Sequence, residues 1–175
     1  MPPTNNKWYV GQVLAGKEAQ TLAQCRRLLD PAVLHDSFVP EFESMFKRAD
    51  GWRAERRLLF PGYVFLVTDD IDRLAAQLVR VPNRVRVLGD EENSYIPLTP
   101  DERDWFLAFV DQDHVVRMSE GIIENDQVRV TRGPLMGMEG RIQKIDRHKR
   151  TAFLALNMFG RTMRAKVGLE ILRKA

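Results

Sequence analysis

Between Asp111 and Gly121 the texture of the chain changes, and that change limits the folds open to it. Before it, runs rich in Val and aromatic residues alternate with stretches whose apolar residues recur every three or four positions, the mixture expected of an α+β sandwich. After it only short strand-like stretches remain, around Gln127 to Thr131, Arg141 to Ile145, Thr151 to Asn157 and Thr162 to Val167. Turn residues part them, as in a small closed β-barrel. In the last stretch Met163, Ala165 and Val167 point one way and Arg164 and Lys166 the other, so the outer face of that strand is basic. The segment Asp111 to Gly121 has no clear periodicity. We therefore expect one domain over residues 1–113, a linker over 114–121 and a second domain over 122–175.

In the first domain Lys7 to Leu14 reads as a strand, and Gly16 breaks it before Lys17 to Leu29 takes up helical spacing. Leu22, Cys25, Leu28 and Leu29 then share one face, with Arg26 and Arg27 toward the wetter side. Pro31 stops that helix, and Phe38, Phe42 and Phe46 belong to an extended stretch running to Arg48. Asp50-Gly51 is a turn signal between this stretch and Trp52 to Phe60, which predicts a hairpin carrying Lys47, Arg48, Arg53, Arg56 and Arg57. Tyr63 to Thr68 is nearly all apolar, as a central strand must be. Asp69 or Asp70 caps a helix whose apolar side is Ile71, Leu74, Leu78 and Val79, and Arg84 to Leu88 is a further strand. Thr99-Pro100-Asp101-Glu102 opens a third helix, with Trp105, Phe106, Phe109 and Val110 on its buried side.

Charge separates the same two parts. Residues 1–113 carry 14 basic and 18 acidic residues, whereas 114–175 carry 13 basic and 6 acidic ones, so the overall +3 conceals a basic C-terminal module. Such asymmetry suits contact with nucleic acid, and equally a merely soluble basic face. No stretch approaches the roughly 20 apolar residues that a membrane span needs, and Met-Pro-Pro-Thr-Asn-Asn is no signal peptide. A cytoplasmic, monomeric protein away from the membrane is expected. Cys25 has no cysteine partner and reads as a buried structural thiol. His35, His114 and His148 lie in no metal-ligand or nucleophile motif, so neither catalysis nor a cofactor or metal is expected.

Trp8-Tyr9-Val10, the helix after Gly16 and Phe60-Pro61-Gly62-Tyr63-Val64-Phe65 resemble the N-terminal NGN domain of the NusG family, an α+β domain with an antiparallel sheet and flanking helices. Val128-Arg129-Val130, Gly133-Pro134, Gly137, Gly140 and Met158-Phe159-Gly160-Arg161 resemble its SH3-like KOW β-barrel, in the right order and at the right separation. Ile145-Asp146-Arg147-His148-Lys149-Arg150, the Met-Phe-Gly-Arg string and Val167-Gly168-Leu169-Glu170 are similar to the LoaP branch of the family, associated with antitermination and RNA hairpin recognition. Leu135 and Met138 stand where housekeeping members place aromatics that contact Rho or a small ribosomal protein. The glycines at 133, 137 and 140 give the tight bends of a barrel and oppose a helical refolding of this module.

The resemblance implies docking on the clamp helices of the RNA polymerase β′ subunit through an apolar patch of Trp8, Phe60, Pro61, Tyr63 and Val64. Exposed rings beside a rigid Pro-Gly turn make effective anchors. For Phe60 and Tyr63 the interface is the preferred reading; for Trp8 and Val64 core and interface stand level. Lys47, Arg48, Arg53, Arg56 and Arg57 suit non-template DNA, nascent RNA or the opposite polymerase jaw, or else form a solvated hairpin. Arg147, His148, Lys149 and Arg150 fall in one turn and favour an RNA hairpin, with Arg129, Arg132, Arg164 and Lys166 widening the platform. The expected function is transcription elongation and antitermination. Its rivals are a general elongation factor coupling polymerase to Rho or the ribosome, a ribosome-associated KOW protein, and an RNA-modifying enzyme.

Overall fold

The computed structural model describes residues 5–90 and 94–175. The first four residues, which carry part of the signal-peptide argument, lie outside it. In chain order the first elements are β1 (Lys7–Gln12), α1 (Glu18–Leu28), β2 (Asp36–Phe38), β3 (Glu41–Arg48), β4 (Gly51–Leu58), β5 (Tyr63–Thr68), α2 (Ile71–Leu78) and β6 (Arg86–Val87). There follow α3 (Pro100–Phe109), β7 (Val115–Val116), β8 (Ser119–Glu124), β9 (Gln127–Arg132), β10 (Ile142–Asp146), β11 (Thr151–Met158) and β12 (Arg161–Lys174). Two compact units divide the chain: Met1–Val39 with Pro61–Arg103, and Pro40–Phe60 with Asp104–Ala175.

The first unit holds an antiparallel sheet in the order β2-β5-β1-β6. Its core gathers Tyr9, Val64 and Leu66 from the sheet and Val13 just beyond β1 with Leu22, Cys25, Leu74 and Leu78 from the helices. Asp70 caps α2 by accepting a hydrogen bond from the Arg73 N–H at 3.1 Å. Thr99 and Glu102 form a reciprocal box at the start of α3: the Thr99 hydroxyl accepts from the Glu102 N–H at 3.1 Å, and the Glu102 carboxylate accepts from the Thr99 N–H at 2.9 Å. Each satisfies a donor that the first helical turn leaves over. Leu28 and Val79, expected on buried faces, are exposed instead. Val79 lies one step, or about 100° of rotation, beyond the buried Leu78, and Leu28 one step before the buried Leu29.

In the second unit β3 and β4 pair antiparallel from Arg48 opposite Gly51 to Glu41 opposite Leu58, and β7 joins β3 in parallel. The turn is Ala49-Asp50, one residue earlier than the Asp-Gly signal, because Gly51 already pairs with Arg48. A five-stranded sheet, β10-β11-β12-β8-β9, is the strand set of the expected SH3-like barrel, with its one parallel pairing between β12 and β8. Alternation along β11 and β12 buries Ala152, Leu154, Leu156, Met163, Ala165 and Val167 together. Gly133 has φ +102° and sits where a Cβ would press on Ser119, whose hydroxyl accepts the Leu135 N–H at 3.0 Å. Only glycine fits both demands. Residues 114–121, which show no period in the sequence, hold β7 and the first half of β8.

Candidate functional site

The strongest concentration of positive charge lies in the second unit, where two segments far apart in sequence meet. One is the β10–β11 turn, Arg147 to Arg150. Asp146, at its entrance, accepts a hydrogen bond from the Lys149 N–H at 3.0 Å, which closes the turn and leaves Arg147, His148 and Lys149 exposed. That same bond, aided by the charges of Lys149 and His148 against a small burial penalty, holds the Asp146 carboxyl below the usual carboxylate range. Arg150 adopts the left-handed conformation with φ 53°. Its carbonyl accepts from the Leu169 N–H at 2.9 Å and from the Ser44 hydroxyl at 3.2 Å, so the strained residue is held from two sides.

The second segment is the β3–β4 hairpin. The Arg150 guanidinium stacks on its Trp52 ring, 4.0 Å from the ring centre, and also meets Glu170 at 3.8 Å. β3 and β12 also approach directly: a Cβ at Gly168 would run into the Glu43 carbonyl oxygen and the Met118 sulfur. In the sequence, turn and hairpin stand as separate basic patches. Within this unit they form one surface, joined at Trp52 and Arg150.

The hairpin's own cations are not equally available. Arg48 makes a two-pronged ion pair with Glu55, Arg57 meets the same carboxylate at 3.3 Å and lies over the Phe46 ring at 4.5 Å, and Arg53 pairs with Asp50. The Arg48 hydrogen bond is the main reason why the Glu55 carboxyl is held below its ordinary range. Lys47 and Arg56 are exposed and form no ion pair among the described residues. On the barrel Arg129 meets Glu124 at 3.9 Å, whereas Arg132, Arg164 and Lys166 are exposed with no carboxylate partner among those residues. Of the candidate cations, Lys47, Arg56, Arg132, Arg147, Lys149, Arg164 and Lys166 are therefore those that an anion can engage without displacing a carboxylate of the described residues.

The five apolar candidates separate. In the first unit the β1–β5 register puts Trp8, Val10, Tyr63, Phe65 and Val67 on the sheet face turned away from α1 and α2. Trp8 packs edge-on against Phe38 at 5.1 Å and Phe65 at 6.4 Å and stays partly exposed, as does Tyr63; Pro61 is exposed. Val64 points to the opposite face and is fully buried, since adjacent strand residues alternate sides. In the second unit Phe60 is 1% exposed and meets the Phe159 ring edge-on at 6.1 Å. Phe60 and Val64 thus offer no side-chain surface, while Leu14, unforeseen in the sequence, is 72% exposed. The loop beside it is pinned by Glu18, whose buried carboxylate accepts from the N–H groups of Gly16 at 2.7 Å and Gly62 at 3.2 Å.

Cys25 is buried, and burial pushes its thiol up to about 11 against a small opposing pull from Arg26. Leu135, at the barrel loop, is also fully buried, and Met136 beside it is 58% exposed. Among the described residues no group of three or more His, Cys, Asp or Glu side chains is placed to hold a metal ion, and no helix is long and apolar enough to cross a membrane.

Residues 6–107 match the family described as "Transcription termination factor nusG", and residues 124–155 match the "KOW motif". The chain is similar to proteins named "Transcription termination/antitermination protein NusG" from several bacteria. It is 26% identical over 163 residues to that of Haemophilus influenzae, covering 90% of this chain and 88% of the relative. The Yersinia pestis protein is 29% identical over 161 residues, covering 89% and 88%. That of Bacillus subtilis is 27% identical over 162 residues, covering 88% and 90%.

Proposed function

The chain belongs to the NusG family of non-enzymatic transcription factors, and from that membership we propose that it is an elongation and antitermination factor of the LoaP kind, which docks on RNA polymerase and holds an RNA hairpin on its basic surface. Proteins of the family interact with RNA polymerase. Docking here uses the first unit against the β′ clamp helices, with Pro61, Tyr63 and Trp8 as contacts and the exposed Leu14 beside them. An aromatic and a proline on a pinned loop lose little freedom on binding, which favours them as anchors. Bound across the cleft, the factor favours the closed clamp and lowers pausing and termination.

One observation carries the RNA half of this reading: the Arg147–Arg150 turn and the β3–β4 hairpin meet at the Arg150–Trp52 stack. The resulting surface is longer than either segment and carries cations free of internal partners at both ends. RNA hairpins are gripped chiefly through backbone shape and phosphates, for which a rigid row of guanidinium and ammonium groups is suited. Lys47 and Arg56 lie on the same side of the hairpin as Trp52, since all three sit at odd and even register positions paired across one face. Non-template DNA is the second anion this hairpin can meet.

The test is an elongation assay on a template whose leader encodes a structured RNA, together with a mobility shift on that RNA. Intact protein is expected to raise terminator readthrough, and a variant with Arg147→Ala, Lys149→Ala and Arg150→Ala to lose both effects while it stays folded, with stability falling by no more than the lost Arg150–Trp52 stack contributes, about 0.5 to 2 kcal/mol. Readthrough and pausing untouched by the intact protein on every template would overturn the antitermination reading. Readthrough retained by the triple variant would leave a general elongation factor.

A further inference from the structure

On the outer face of β11 a large aromatic side chain stands among cations. Along β11 Ala152, Leu154, Leu156 and Met158 all point inward and are buried, which by alternation turns Phe153 outward, where it is partly exposed. Burial of its neighbours fixes the direction of the ring, and nothing in the barrel's packing needs an aromatic there. The register sets Phe153 between Lys144 of β10 and Lys166 of β12, directly across from each. Both ammonium groups lie over the ring, at 5.7 and 5.3 Å from its centre. Arg164 stands next along β12, opposite Ala155, a residue too small to cover the ring. None of these three cations has a carboxylate partner among the described residues. Asp146, which follows Lys144 on the same strand, is spent on the turn through the Lys149 N–H.

A flat ring flanked by cations on neighbouring strands, about 5 Å to either side, matches the two features of a single nucleic-acid strand: a base with a π face and a phosphate on each side of it. A duplex cannot use the ring, because its bases are already stacked on one another. The unpartnered lysines select against an apolar peptide, and a ring does nothing for a simple acidic one.

We propose that Phe153, with Lys144, Lys166 and Arg164 around it, is a stacking platform for an unpaired base of single-stranded nucleic acid, the flanking phosphates being held by the three cations. The platform lies on β11 three residues beyond the basic turn, so an RNA whose stem rests on the turn places its loop or its unpaired flank on the ring. The inference rests on the reading of this unit as RNA-facing and adds to it the form of RNA taken.

The test is fluorescence anisotropy of the full chain with three labelled probes: a 12-nucleotide uridine RNA, the matching thymidine DNA and a blunt RNA duplex. Intact protein binds the single strands; Phe153→Leu weakens that binding about tenfold and leaves duplex affinity unchanged, while Phe153→Trp restores it. Equal binding of both strands assigns the platform to single strands at large, and binding of RNA alone assigns it to RNA. The proposal is overturned if Phe153→Leu binds single strands as the intact protein does, if it loses duplex binding in equal measure, or if a polyglutamate peptide displaces the strand as readily as unlabelled RNA. Readthrough measured on the same variants separates the two readings: retained readthrough with unchanged single-strand affinity sinks the platform alone, and intact single-strand binding without any readthrough sinks the antitermination role alone.

Discussion

The guanidinium of Arg150 lies 4.0 Å from the centre of the Trp52 ring, and through that stack the basic turn of the barrel is fastened to the β3–β4 hairpin. The two residues are far apart in sequence, so the contact closes a long loop for one favourable interaction. Stacks of this kind contribute about 0.5 to 2 kcal/mol depending on desolvation. A double-mutant cycle with Trp52→Leu and Arg150→Ala is expected to show coupling within that range by chemical denaturation. Because Arg150 is strained at φ 53°, Arg150→Gly should fall less in stability than Arg150→Ala while losing RNA affinity equally. Additivity of the two single substitutions in both stability and RNA affinity would dissolve the joint surface into two patches.

Phe60 and Tyr63 stand three residues apart, yet substitution at each should act on different quantities. Phe60 is buried against Phe159, so Phe60→Ala is expected to cost about 3 to 5 kcal/mol of stability, read from the unfolding midpoint. Tyr63 is partly exposed at the edge of the sheet face turned away from α1 and α2, so Tyr63→Ala should leave the midpoint within about 1 kcal/mol and weaken capture on immobilised polymerase. A Tyr63 variant that melts early but binds polymerase normally would place Tyr63 in the core and remove it from docking.

The turn that presents Arg147, His148 and Lys149 should respond to acid. The Asp146 carboxyl is held below the ordinary carboxylate range, first by the Lys149 N–H and then by the Lys149 and His148 charges. A depressed folded-state value means that its contribution is present above the unfolded value of about 3.9 and is lost as pH falls through the folded one. An NMR titration should therefore show Asp146 protonating below about 3.9, with the Lys149 amide shifting at the same midpoint. Asp146→Asn should abolish that shift and loosen the turn at neutral pH, weakening RNA binding severalfold. A Lys149 amide that shifts with the bulk of the carboxyl groups would show that the bond does not form in solution.

Much of the fold was legible because strong local signals agreed with it. The apolar run of β5, the Asp70 and Thr99 caps and the alternating β12 each state their structure within a few residues. β7 and the start of β8 were not legible, since Val115 and Val116 become a strand only by lying beside Glu41 and Phe42. The site divides in the same way. That Arg147 to Lys149 are exposed follows from a turn between strands, but the spending of Arg48 on Glu55 depends on how β3 and β4 pair, while Arg53–Asp50 and Arg57–Glu55 are local pairs three and two residues apart. The family resemblance places Tyr63 and Val64 in one docking patch, but adjacency in a strand sends them to opposite faces. Phe153 does not stand out in the sequence, because a phenylalanine in a strand ordinarily belongs to the core.

Glu18 offers the sharpest test of how the exposed Leu14 and Pro61 are held in place. Its carboxylate is buried, and it accepts hydrogen bonds from the Gly16 and Gly62 N–H groups, which belong to the two loops at this end of the first unit's sheet. Removing the acceptor leaves both donors without a partner in a site that water does not reach. Glu18→Ala is thus expected to cost about 2 to 4 kcal/mol and to speed hydrogen exchange at Gly16 and Gly62 together. Glu18→Gln keeps one acceptor oxygen and should recover roughly half of that loss. Since both loops carry residues proposed to meet polymerase, Glu18→Ala should also reduce polymerase capture under conditions where the chain stays folded, although Glu18 itself touches nothing outside it. If exchange rises at Gly16 but not at Gly62, the carboxylate serves only its own helix turn, and the rigidity of the Pro61-Gly62 loop must come from the Val13 N–H bond to the Gly62 carbonyl at 2.8 Å instead.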